Sequence, residues 1–275
     1  MRIRFMPNYL SISQINKYLG CGEAYRLHYI EGKKSAPNVL MIKGSAFHKA
    51  AETNNIQKKK SKKDLSVKDL QDIASFDLDS RFDKDITFKK DEVTQGVSAT
   101  KGKAKDSLMS AIPVLHANTK DVMPIETETE FNIHIPGIKK PLKAIIDCIT
   151  DDGRVIDYKV TGKAKTQAMT DGDLQLSAYA LIYYANYGEF PKLQFHNYVS
   201  KSTVKKGDET IFNLTETIHD KNSISPLINT MKAVEDSIEK GIFLPAPSGS
   251  WQCSPNACSY YSVCKYVNGK PRFGL

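Results

Sequence analysis

Three residues in one short stretch could do chemistry that a packed core does not need. They are Asp147, Asp157 and Lys159, within AIIDCITDDGRVIDYKVT, residues 144–161. Two carboxylates side by side can hold a hard divalent cation, Mg²⁺ or Mn²⁺, and leave positions open for water and a phosphate. A lysine beside them can activate a water or neutralise charge developing on a phosphate. Without a cation, the same residues would form a surface ion pair of Asp157 with Lys159 on a solvated strand.

Those side chains converge only if the backbone brings them together. Leu142 to Thr150 is an apolar, isoleucine-rich run, Asp151-Asp152-Gly153 supplies a turn, and Arg154 to Val160 is a second run. This pattern predicts a β-hairpin. A three-residue turn pairs Ile149 with Val155, Cys148 with Ile156 and Asp147 with Asp157. Residues directly opposite share a face, and Lys159 lies two further along on that face. A two-residue turn would put Asp147 on the other face.

Other stretches supply polar groups at helical spacing. Gly44 and His48 stand four apart in a predicted helix that starts near Lys43. A helix between Asp171 and Tyr187, capped by Asp171 or Asp173 and stopped by Gly188, puts Gln175 and Tyr179 one turn apart on one face. Glu126, Glu128 and Glu130 alternate through a predicted strand ending at Ile135, which places all three on one face, either a solvated face or one that offers a further metal contact.

Cysteine usage adds a second centre. Of five cysteines, Cys253, Cys258 and Cys264 crowd the C-terminal end as C-x4-C-x5-C, with no histidine beside them in the sequence. The odd count and the absence of a secretory leader argue against a disulfide framework and for a metal or cluster. Cys148, next to Asp147, points to the opposite side of its strand and belongs to the core.

Asp147 followed by Asp157-Tyr158-Lys159 resembles the acid and acid-x-Lys core of the PD-(D/E)xK nuclease superfamily. Gly44-Ser45-Ala46-Phe47-His48 resembles the G-x-x-x-H motif of its RecB-like exonuclease branch, and Gln175-Leu176-Ser177-Ala178-Tyr179 that branch's Q-x-x-x-Y helix. Cys21-Gly22-Glu23-Ala24-Tyr25 resembles the N-terminal C-x-x-x-Y segment of relatives that carry an iron–sulfur cluster, although the C-terminal spacing is wider than their usual pattern.

The resemblance implies an α/β fold, a restriction-endonuclease-like core with a central mixed sheet flanked by helices. It implies His48, Asp147 and Asp157 as metal ligands. Lys159, Gln175 and Tyr179 would be catalytic residues beside the two acids. Cys21, Cys253, Cys258 and Cys264 would hold a structural [4Fe–4S] cluster, with zinc as the alternative. The implied function is a metal-dependent DNA exonuclease of phage or bacterial recombination, repair or replication, acting on DNA and plausibly on single-stranded ends. Two alternatives stay open: a catalytically silent DNA-binding or assembly module, and a nuclease subunit that needs a helicase or recombination partner. No G-x-x-x-x-G-K-[ST] phosphate loop supplies a motor.

Composition fits that reading. The chain of 275 residues has 39 Lys and Arg against 31 Asp and Glu, a formal charge of +8 that suits a polyanion. No apolar run reaches membrane-span length, so the expected setting is the cytoplasm, that of the bacterial host if phage-encoded. The whole chain, 1–275, reads as a single nuclease domain. Its parts are N-terminal helices (1–54), a helical and basic insertion (55–120), a catalytic α/β core (121–245) and a cysteine segment (246–275). The lysines at 58, 59, 60, 62 and 63 read as a solvated linker or as contacts to DNA phosphates. Residues 95–105 read as a flexible loop over the substrate.

Overall fold

The computed structural model describes residues 7–200 and 209–267. Five strands form one sheet in the order β1 (Pro124–Ile133), β2 (Leu142–Thr150), β3 (Arg154–Thr161), β4 (Lys192–Val199) and β5 (Ile211–Ile218). β2 and β3 are antiparallel, β3 and β4 parallel, β4 and β5 antiparallel. The sheet is therefore mixed and flanked by helices, as the α/β expectation requires.

The hairpin register is the one the three-residue turn predicts: Cys148 faces Ile156 and Ile149 faces Val155. Gly153 sits at φ 80°, a left-handed conformation in which glycine carries no Cβ penalty. Arg154 donates its backbone N–H to Thr150 Oγ1 at 2.9 Å, which closes the turn.

Contacts divide the chain into two compact units. The larger, residues 36–131 and 145–224, holds most of the sheet. Its helices are α3 (Val39–Ser61), α4 (Val67–Phe82), α5 (Lys90–Gln95), α6 (Val97–Ala117), α7 (Gln167–Asp171) and α8 (Leu174–Tyr187). Phe47, Leu70, Leu78, Leu108 and Ile112 from α3, α4 and α6 form one core with Cys148, Ile156, Tyr158 and Tyr198 of the sheet. The smaller unit, residues 1–35, 132–144 and 225–275, contains α1 (Ile12–Gly20), α2 (Gly22–Tyr25), a π-helical turn (Arg26–Ile30) and α9 (Ser225–Glu239). There Leu10 exchanges backbone bonds with Pro141 and Lys143, and Glu235 accepts the backbone N–H groups of Lys139 and Lys140, each at 2.9 Å.

Two local expectations change and a third holds. The basic run is not a linker, because α3 continues through it to Ser61. Lys58 is buried and donates to the Thr119 and Lys120 carbonyls at 2.7 and 2.9 Å, with Asp64 as its counter-ion at 3.1 Å. Residues 97–105 are not a loop but the start of α6. Thr100, Ala104, Ser107, Leu108 and Ala111 give that helix a buried stripe, and Lys101 and Lys105 pair with Asp79 of α4. The helix predicted to end at Tyr187 is present as α8, capped by Asp173, which accepts from the N–H groups of Gln175 and Leu176; the short α7 precedes it across Gly172.

Burial holds His196 of β4 neutral, pushing it down to about 4. One ring nitrogen bonds Gln194 Oε1 at 3.0 Å and the other is buried without a partner. An unfolded imidazole takes a proton near 6.5 while the folded one does not, so stability is full above 6.5 and falls as pH drops toward 4. The loss reaches about 3 kcal/mol. In urea titrations across that window, His196→Phe should flatten the pH dependence. An unchanged slope would contradict this account.

Candidate active site

The acids meet where β2 and β3 part. Asp147, the next residue of β2 beyond the Cys148–Ile156 pair, accepts the backbone N–H of Tyr158 through Oδ2 at 2.8 Å. That donor would otherwise serve the neighbouring strand, so the carboxylate lies in the opening between the strands. Asp157 on β3 is fully buried. Its neighbours Ile156 and Tyr158 point into the α3–α4–α6 core, and alternation sends Asp157 the other way, toward α8.

From α8, Gln175 ties the site together. Its Nε2 donates to Asp157 Oδ1 at 2.9 Å and to the Tyr179 hydroxyl at 2.6 Å, and its Oε1 accepts from Lys159 at 3.4 Å. Tyr179 has one proton to give, and the Ile145 carbonyl takes it at 2.8 Å, while Asp157 Oδ1 lies 3.4 Å away. The Lys159 ammonium stands 2.6 Å from Asp157 Oδ2 and 5.7 Å from the centre of the Phe195 ring. The hairpin acids, Lys159, Gln175 and Tyr179 are thus all brought together.

His48 reaches the same place from α3. Its Nδ1 lies 3.4 Å from Asp147 Oδ2 and 3.5 Å from Glu128 Oε1. Among the described residues, His48, Glu128 and Asp147 have ligand atoms all within 4.8 Å of one another. The glutamate ladder left its contributor open, and the backbone now names it. Glu128 stands at φ 46° in the middle of β1, a left-handed conformation unusual for a residue with a side chain. The regular alternation of the three acids fails there. Glu126 accepts from Thr129 at 2.8 Å and lies 3.8 Å from Lys59, while Glu128 reaches His48. Simple period-two counting cannot foresee such an irregularity.

The electrostatics follow from burial and crowding. Burial opposes charge on His48, but the Asp147 and Glu128 carboxylates outweigh it and raise the imidazole to about 10. Burial lifts Asp157 to about 6, with Lys159 pulling down and Asp147 pushing up. Lys159 is raised: the Asp157 and Asp147 charges overcome the burial that disfavours its ammonium. Asp157 Oδ2 is buried and accepts no well-aligned hydrogen bond despite its ion pair. This excess of acceptor atoms over donors suits a divalent cation bound by oxygen and imidazole.

In the smaller unit, the candidate cysteines from the two ends of the sequence are near enough to act on one another electrostatically, but among the described residues no three of their sulfurs lie within 4.8 Å of one another. Burial first raises the Cys258 and Cys264 thiols; Cys21 and Cys253 add to both, Cys264 to Cys258, and Glu23 to Cys264. No disulfide joins any of the five cysteines. Cys21 Sγ accepts from the N–H groups of Ala24 at 3.4 Å and Ala246 at 3.3 Å. A Cβ at Gly22 would lie 2.9 Å from the Leu244 backbone, so a larger residue there would force the segments apart. His28 also arrives, 2.6 Å from the Tyr260 hydroxyl, which the spacing of the sequence did not reveal. Cys148 is buried in the core, as read.

The mixed sheet carries acids on neighbouring strands, a lysine two residues past the second acid and a histidine from a flanking helix, with a His48, Glu128 and Asp147 set that could hold a metal ion. The model of the PD-(D/E)XK nuclease superfamily matches residues 9–265, and the chain belongs to that superfamily. It is therefore a nuclease, a hydrolase acting on nucleic acids. It is 24% identical to the Gene 69 protein of Mycobacterium phage L5, over 92% of this chain and 93% of that one. The fold is similar to a crystal structure of a "Putative exonuclease" from Eubacterium rectale, with a TM-score of 0.58, 12% identity, and coverage of 96% of this chain and 90% of that one. No helix among the described residues is long and apolar enough to cross a membrane.

The left-handed backbone at Glu128 costs about 1 kcal/mol that glycine would not incur. Glu128→Gly should raise the unfolding free energy measured in urea by about 1 kcal/mol and weaken Mn²⁺ binding measured by calorimetry. A variant that lost stability, or that bound Mn²⁺ as the parent does, would show that Glu128 is held for another reason.

Proposed function

We propose that the protein is a metal-dependent DNA exonuclease of the RecB-like branch. The observation that carries this reading is the set of ligand atoms on His48, Glu128 and Asp147 beside the buried Asp157–Lys159 pair. These side chains would hold Mg²⁺ or Mn²⁺, with Asp157 next to them. Such an ion, when bound, supplies Lewis acidity toward the scissile phosphate and lowers the pKa of water.

The chain's own residues do the rest. Lys159, kept as an ammonium by Asp157 and Asp147, offers N–H groups and positive charge to phosphate oxygens; it serves as a donor and not as the base that takes a proton. Gln175 fixes both the Asp157 carboxylate and the Lys159 ammonium through its two-ended amide. Tyr179, anchored on the Ile145 carbonyl, sets where the Gln175 amide sits. The excess of basic residues suits DNA as substrate. Single-stranded ends, a cytoplasmic setting and a helicase or recombination partner complete the reading. The phage relative and the "Putative exonuclease" neighbour are in keeping with it.

End-labelled single- and double-stranded DNA, incubated with Mg²⁺ or Mn²⁺, tests the assignment. Asp157→Ala and Lys159→Ala should each lose roughly a hundredfold or more in cleavage rate. Gln175→Ala should lose less, since it positions groups that remain present. Mutants as active as the parent would remove the assignment. DNA binding without cleavage under every metal would favour the silent module instead.

Cys21, Cys253, Cys258 and Cys264 would hold a [4Fe–4S] cluster with a structural role. Its support is the electrostatic proximity of cysteines from sequence positions more than 200 apart, with backbone N–H groups directed at Cys21 Sγ. Anaerobic purification should give a brown protein with stoichiometric iron. Cys258→Ser should lose the iron and lower the melting temperature. Zinc in place of iron would support the alternative metal.

A further inference from the structure

A second polar centre lies in the larger unit, in a cavity of about 90 Å³ between the first turns of α3, helix α5 and helix α6. Lys43, Thr100 and Ser107 line its buried end, while Asp91, Gln95 and Lys103 line the end that is exposed. Lys43 is only 3% exposed. Its ammonium donates to Ser107 Oγ at 2.9 Å, and two of its three N–H groups have no partner among the described residues. No carboxylate among those residues comes within 4.0 Å of it. The contrast with Lys58 is direct. That equally buried lysine has two carbonyls and Asp64.

We propose that this cavity is an oxyanion site, in which Lys43, with the Ser107 hydroxyl beside it, holds a single phosphoryl group; the Thr100 hydroxyl gives its proton to the Glu92 carbonyl at 3.1 Å. A buried ammonium with open donors and no carboxylate at ion-pair distance is costly unless an anion completes it. Burial pushes Lys43 down to about 8, so it still carries its charge near neutrality. The cavity has room for roughly six water-sized spheres. That suffices for the five heavy atoms of a phosphoryl group. Ser107 is held by neighbours: its Oγ lies 2.5 Å from Ser200 Oγ, and its carbonyl accepts from Ser110 and Ser200. Two acids also line the cavity. Glu92 is committed to capping α5, accepting the Lys89 N–H at 2.7 Å. Asp91 is solvent-exposed, where water and salt weaken its repulsion, and Lys103 stands at the same end.

The ligand is inorganic phosphate or the phosphoryl terminus of a nucleic-acid strand. Calorimetric titration of the full chain with inorganic phosphate, in EDTA so that no cation bridges phosphate to the acids, tests the site independently of nuclease activity. Lys43→Met should weaken binding at least tenfold. Ser107→Ala, which removes only the hydroxyl, should weaken it severalfold and guards against a misfolded first variant. Displacement of phosphate by a 5′- or 3′-phosphorylated dinucleotide, and not by its hydroxyl form, identifies a strand terminus. Phosphate binding that neither dinucleotide displaces identifies the free ion. A parent chain that does not bind phosphate, or two variants that bind it as the parent does, would overturn the proposal.

Discussion

Asp157 is a carboxylate with no exposed surface, and its desolvation is the constraint that the candidate site satisfies. An anion removed from water destabilises a fold by several kcal/mol unless charges and donors replace the solvent. Here Lys159 supplies the charge and Gln175 supplies the donor. Tyr179 supplies no proton to the acid; it supports Gln175 from behind and is itself fixed by a strand carbonyl. One oxygen is satisfied by the amide, and the other faces the ammonium without good hydrogen-bond geometry. The compensation is partial, which leaves acceptor capacity beside three further ligand atoms.

The second acid is handled differently. Asp147 is placed by a main-chain N–H in the gap where the hairpin opens, and His48 comes to it from the opposite side of the sheet core. Both faces of the sheet thus supply side chains to one locus: α3 its histidine, α8 its glutamine. Glu128 joins only because the β1 backbone departs from extended geometry, and that departure is stored strain at a functional position. Positioning by helices and strands, with loops in a minor role, makes the locus rigid.

Much of this was legible in the sequence, for identifiable reasons. The three-residue Asp151-Asp152-Gly153 turn gives the hairpin register that is observed, with Gly153 in the left-handed conformation such a turn needs. Helical spacing placed Gln175 and Tyr179 on one face, and Asp173 was among the expected caps. What was not legible involved side chains whose environment contradicts their type. Lys58 looks like solvated charge and is a buried tie between α3 and the segment after α6. Residues 97–105, rich in glycine and lysine, look mobile, yet small buried side chains seat them against α4. Glu128 belongs to a ladder of three equivalent acids until a single φ angle sets it apart. In each case a non-local contact decided the outcome, and local composition carried no record of it.

The smaller unit has a consequence for synthesis on the ribosome. Tyr18 donates to the Ile242 carbonyl, Cys21 receives the Ala246 N–H, and His28 meets Tyr260. Each tie spans more than 220 residues. These helices must therefore wait, while more than 200 further residues are translated, for their partners. Tyr18, Tyr25 and Leu27 are left meanwhile as exposed surface on a nascent polypeptide, the kind that chaperones shield.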